Sequence, residues 1–137
     1  VNSAELPTQG ELDIAPGDIE VIRRVAHSLN YLAEEMHGLA KAKGWWAEER
    51  GIPEQIALMH SELSEALEHY RDHGLVGSSL LQFDDKGKPI GLGSELADTI
   101  IRILDTCGRY GIPLGEILFV KYMYNRTRPR RHGGKHA

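Results

Sequence analysis

Four carboxylates stand out by their spacing. Glu62 and Glu65 lie three residues apart in "ALMHSELSEALEHYR", as do Glu95 and Asp98 in "GSELADTIIRILD". Residues three apart on a helix are neighbours, and like charges there cost about 0.2–0.5 kcal/mol. The chain holds 20 acidic residues, yet only the pairs 62/65, 65/68 and 95/98 have this spacing, and all fall in two consecutive predicted helices. One such pair is ordinarily a solvated helix face, with Asp98 and Arg102 a surface i,i+4 ion pair. Two pairs on consecutive helices point elsewhere. If the helices pack antiparallel, Glu62, Glu65, Glu95 and Asp98 converge. Hard divalent cations take oxygen ligands, and Mg2+ is held by a few carboxylates with waters and substrate phosphates. A bound cation would relieve the repulsion that the spacing creates.

The elements that must position these groups read as helices. After "APGD", Ile22, Val25, Leu29, Leu32, Met36 and Ala40 recur at threes and fours, with Asp18 as a cap and Gly44 just past the end. "GWWAEERGI" is a connector, and Pro53 suits the first turn of a second helix. That helix has an apolar stripe of Ile56, Met59, His60, Leu63, Ala66, Leu67 and Tyr70, predicted to be buried, and Gly74 stops it. Residues 75–93 break the rhythm, and "LLQFDDKGKPIG" reads as a β-hairpin insert. Ser94 is placed to cap a third helix, in which Glu95, Asp98, Arg102 and Asp105 share a face opposite the oily side. Pro113 opens a fourth helix through about Asn125, and Pro129 ends it. The predicted fold is all-α: a four-helix bundle with a short β-hairpin insert between helices 2 and 3. Its expected divisions are an N-terminal arm (1–17), a helical domain (18–128) and a basic tail (129–137).

Bulk properties bound the function. At 137 residues the chain fits one domain, and 41% hydrophobic with 26% charged residues is the balance of a soluble globular protein. No apolar run approaches the roughly 18–20 residues that span a bilayer. "VNSAELPTQGELD" lacks the charged and apolar regions of a secretory signal, and its start without Met is expected to be a processed one. Cys107 is the only cysteine, which excludes an intrachain disulfide; a cytoplasmic location and a core position for Cys107 are expected. Net charge is −4, but residues 126–137 carry five basic residues and no acid, leaving −9 on the rest. An acidic body argues against a nucleic-acid binder, whose affinity comes from neutralising phosphates.

The acidic pairs carry a resemblance. "HSELSE" followed by "SELAD" resembles the ExxE…ExxD signature of the MazG-type all-α nucleoside triphosphate pyrophosphohydrolases. "KGWW" before the second helix resembles that family's aromatic connector, and "KYMYNRTRP" its closing Lys…Asn…Arg segment, so the likeness runs over residues 19–131. The stretch between the two acidic motifs is longer than usual for the family, and the hairpin accounts for the excess. The resemblance implies a Mg2+ cofactor, with Mn2+ as a substitute, held by Glu62, Glu65, Glu95 and Asp98, and Glu65 as the residue that orients the attacking water. It implies attack at the α-phosphorus of a nucleoside triphosphate, giving a nucleoside monophosphate and pyrophosphate, and a homodimer or homotetramer. The residues fit that chemistry independently: four bare carboxylates repel a polyphosphate, whereas a carboxylate–metal cluster bridges protein to phosphate.

Two further sets follow. Lys121, Asn125 and Arg128 recur at i, i+4 and i+7 on the last helix, and with the family likeness they read as contacts to substrate phosphate rather than a snorkelling surface stripe. The tail "RHGGKHA" is expected to stay flexible. Of Trp45 and Trp46, one is expected in the core and the other, Trp46, to stack on a nucleobase. His37, nine residues earlier, has a spacing similar to a base-pocket pair in the dCTP pyrophosphatase branch, and Asn30 is a further candidate for the base edge.

The competing readings are a non-catalytic Mg2+- or nucleotide-binding helical module, a phosphoribosyl-ATP pyrophosphatase, and a di-iron bundle. The last needs Glu-x-x-His pairs, and neither acidic pair ends in His.

Overall fold

A computed structural model of the chain describes residues 15–127. The elements are α1 (Pro16–Ala42), α2 (Ile52–His73), a single turn α3 (Gly77–Leu80), strands β1 (Gln82–Phe83) and β2 (Pro89–Ile90), α4 (Leu92–Tyr110) and α5 (Leu114–Thr127). The fold is all-α with a short antiparallel hairpin, as the periodicity predicts. No helix among the described residues is long and apolar enough to cross a membrane.

Local chemistry sets the boundaries. Proline near the start of α1 and α2 suits a position where a helix has no use for the backbone N–H. Asp18, expected as the cap of α1, lies instead in its first turn, where its charge faces the positive end of the helix dipole; the N-cap is Ala15. α4 likewise begins two residues before Ser94, and the Ser94 hydroxyl donates to the Pro89 carbonyl at 3.2 Å. The hairpin pairs Gln82 with Ile90 and Phe83 with Pro89. Asp84 Oδ1 closes its turn by accepting from the backbone N–H of Lys86 and of Lys88, both at 2.8 Å.

α4 is the central element, packed against α1 on one side and α2 on the other, while α5 packs along α1. The core is small: Ala33, Leu104 and Cys107 are buried, with Leu29, Met36 and Leu114 against them. Cys107 is a core residue as expected, and burial pushes its thiol pKa up. Gly108 permits the close approach of α4 to α1, since a methyl there would collide with the Ala33 carbonyl and His37 Cβ.

The buried face of α2 differs from the expected stripe, and α4 buries more than its oily side. In α2 the buried residues are Gln55, Glu62 and Ala66, whereas Ile56, Leu63, Leu67 and Tyr70 of the predicted buried stripe are 44–50% exposed. In α4 the acidic face turns inward: Asp105 is buried and Glu95 and Asp98 half-buried, while Leu96 and Ile100 face outward. A helix held between two neighbours buries more than one stripe, so the polar face of α4 is drawn into the interior.

Candidate functional site

The inward face of α4 builds the site one turn at a time. Its small polar residues satisfy themselves: the Thr99 hydroxyl donates to the Glu95 carbonyl at 3.0 Å and that of Thr106 to the Arg102 carbonyl at 2.8 Å. Burying them therefore leaves no orphan hydroxyl.

At the N-terminal end of α4, Glu95 and Asp98 meet Glu62 of α2, with one carboxylate oxygen of each within 4.8 Å of the others. Glu65 stays outside this group and is exposed, but its charge is felt at Glu95. Burial first, then repulsion from Glu65, Asp98 and Glu62, raises the Glu95 pKa, and Lys88 on the hairpin opposes it. Asp98 is raised by burial and Glu62, against Arg102 and Lys88. Carboxyls held in this way favour uptake of a proton or a cation. The donor set is oxygen only, which suits a hard divalent cation such as Mg2+ and offers nothing to soft metals.

One turn on, Arg102 Nε donates to Glu62 Oε1 at 2.5 Å, joining α4 to α2. The plain alternative, a surface i,i+4 pair of Arg102 with Asp98, is replaced by this contact across the helices. Another turn on, Asp105 is 5% exposed and accepts from His37 Nδ1 at 2.8 Å and from Trp46 Nε1 at 2.9 Å. The carboxylate can only accept, so His37 donates through Nδ1. The Trp46 ring meets His37 edge-on at 5.6 Å and Tyr110 at 6.4 Å, and the Arg109 guanidinium lies 5.2 Å from its centroid.

Two clefts flank this face and share Trp45, Arg102 and Asp105 as a wall. The smaller, about 190 Å3, opens towards Trp46, Arg50 and Gln55; the larger, about 480 Å3, lies between α1 and α4 and reaches Asp98. The larger cleft thus joins the acidic group to an aromatic wall.

The remaining expected residues fall as follows. Trp46 and His37 do come together, but both are anchored by Asp105, and the half-exposed ring over the clefts is Trp45, at 52%. Asn30 is committed to the fold: its amide donates to Glu116 at 2.7 Å and its carbonyl accepts from the Gly115 N–H at 3.0 Å, pinning α5 to α1. Lys121 and Asn125 are exposed on α5, which packs along α1, and the structure does not bring them to the acidic group. Arg128 and the basic tail lie outside the described residues. Asp105 is the anchor that the spacing did not single out, although its position seven residues after Asp98 puts it on the same face. Lys88 was missed because it rides on the hairpin, where no helical period applies.

No family model matches the chain, and neither a curated protein nor a solved structure matches it. The likeness to the MazG-type proteins therefore rests on the quoted motifs and their order.

Proposed function

We propose that the protein is a Mg2+-dependent nucleoside triphosphate pyrophosphohydrolase of the MazG type. The observation that carries this reading is the oxygen-only group of Glu62, Glu95 and Asp98, contributed by two facing helices and opening on a cleft with an aromatic wall. In this reading Glu62, Glu95 and Asp98 would hold the cation, which would supply charge neutralisation at the phosphates and make a water more acidic. Glu65, exposed beside Glu95, accepts the proton of the water that attacks the α-phosphorus. The bond from that phosphorus to the bridging oxygen breaks, and pyrophosphate leaves. Arg102 and Lys88 are the cations whose charges reach the acidic carboxyls, and they meet the phosphates. Trp45 stacks on the base, and Trp46, His37 and Asp105 form the polar floor behind it.

The exposed stripe of α2, together with Leu96 and Ile100 of α4, supports assembly with a second copy as a homodimer or homotetramer. The test of the function is pyrophosphate release from a panel of ribo- and deoxyribonucleoside triphosphates with and without Mg2+. Release that requires Mg2+ and is abolished in Glu95→Gln supports the reading. Nucleotide binding without release favours a non-catalytic module instead.

A further inference from the structure

The Arg102–Glu62 contact engages Oε1 of a carboxylate that also belongs to the acidic group. Glu62 is one of only three carboxylates in the group, and its side chain is 9% exposed, so it has little freedom to turn elsewhere. Arg102 donates Nε to Oε1 of that carboxylate from a side chain that is itself 25% exposed. A divalent cation bound to Glu62 would lie within a carboxylate's width of the guanidinium, and two like charges at that separation in a half-buried place repel strongly. Open space for the displaced guanidinium is at hand, since Arg102 lines both clefts. Asp105, one turn further on, already accepts from His37 and Trp46, so it competes weakly for a new donor.

We propose that Arg102 is a displaceable counter-ion: it holds Glu62 while the acidic group carries no divalent cation, and when the cation takes Glu62 the guanidinium passes into the cleft to meet an anionic phosphate of the substrate. This rests on the metal-site reading above. Arg102 thereby couples metal occupancy to phosphate binding. Metal and nucleotide each strengthen the other's binding, because each removes a partner from the same ion pair. An arginine suits the exchange, as its planar fork fits carboxylate and phosphate alike.

The test uses Mg2+ alone, then a non-hydrolysable α,β-methylene nucleoside triphosphate with Mg2+, titrated calorimetrically into the full chain and into Arg102→Met. The variant should bind Mg2+ more tightly by about tenfold and the nucleotide more weakly by a similar factor. Opposite signs are the mark of the exchange, because a merely structural role would weaken both. In the wild-type protein the downfield Nε–H resonance of Arg102, assigned by its loss in Arg102→Lys, should move upfield on addition of Mg2+. This second readout stands even if Arg102→Met does not fold. Unchanged or weaker Mg2+ binding in a folded Arg102→Met, or an Nε–H signal that ignores bound Mg2+, overturns the exchange while leaving the metal site intact; the latter would mean that Glu62 bridges cation and guanidinium. If neither protein binds Mg2+, the metal-site reading itself fails and the exchange with it.

Discussion

Asp105 on α4 and His37 on α1 are joined by a 2.8 Å hydrogen bond between side chains that are both almost fully buried, and Trp46 donates to the same carboxylate at 2.9 Å. One acid thus fixes the first helix, the connector and the central helix against each other. Removing it leaves the buried His37 donor and the part-buried Trp46 donor without this partner. Asp105→Ala should destabilise the fold by about 3–5 kcal/mol, the scale for breaking a buried charged network. Asp105→Asn, which keeps one acceptor, should lose clearly less. Denaturant unfolding of the three proteins checks the order, and equal losses for Asn and Ala would show that the acceptor is not what matters.

The two tryptophans should separate by readout. Trp46 carries a hydrogen bond, two ring contacts and a guanidinium, so Trp46→Ala should cost about 3–5 kcal/mol of stability. Trp45 is 52% exposed, and its truncation should leave the melting temperature nearly unchanged. If it stacks on the base, about 1–3 kcal/mol of binding is lost. That loss acts in ground and transition states alike, so KM rises while kcat holds. A large fall in melting temperature for Trp45→Ala with unchanged KM would remove it from the site.

The raised pKa values of Glu95 and Asp98 give the metal-free protein a pH dependence of known sign. Raised carboxyls bind protons more tightly in the folded state. Their contribution is fully present below the ordinary carboxylate pKa and is lost as pH rises through the raised values. Glu95→Gln should flatten this dependence. Mg2+ should restore stability above that window and do little below it, where protons occupy the group. Melting curves across pH, with Mg2+ and with chelator, check both statements; a metal-free protein that gains stability through that window because of Glu95 would contradict them.

The apolar residues left outward on α2 should be covered by a second copy. Sedimentation at micromolar concentration should give a dimer or tetramer, and Leu67→Glu, at a position 49% exposed in the single chain, should dissociate it while leaving the helical content intact. A monomeric wild-type protein would end this account of the stripe.

Much of the architecture was legible in the sequence because helix periods and Gly and Pro stops are local signals. The hairpin was legible for the same reason: its apolar runs flank a turn that Asp84 and Gly87 close. The meeting of Glu62 with Glu95 and Asp98 was legible in the two paired spacings, whereas the rest of what each helix buries was not. The pattern of α4 separates an oily side from a polar one, and the usual inference turns the polar side to solvent. Here α4 lies between α1 and α2, so the polar side is drawn inward and forms the acidic group and the Asp105 network. Contacts such as Arg102 with Glu62, 40 residues apart, and Trp46 with Asp105, 59 apart, leave no trace in local spacing. Asn30 shows the same limit from the other side, as its amide is spent on Glu116 and Gly115, 86 and 85 residues away.

We propose that the group formed by Glu62, Glu95 and Asp98 serves hydrolysis at the α-phosphorus of a nucleoside triphosphate. The most direct measurement runs the reaction with Mg2+ in water labelled with heavy oxygen and finds by mass spectrometry which product carries the label. Attack at the α-phosphorus puts the label in the nucleoside monophosphate, leaves pyrophosphate unlabelled, and gives no product with Glu95→Gln. Label in pyrophosphate or free phosphate, or turnover by Glu95→Gln near the wild-type rate, would contradict it.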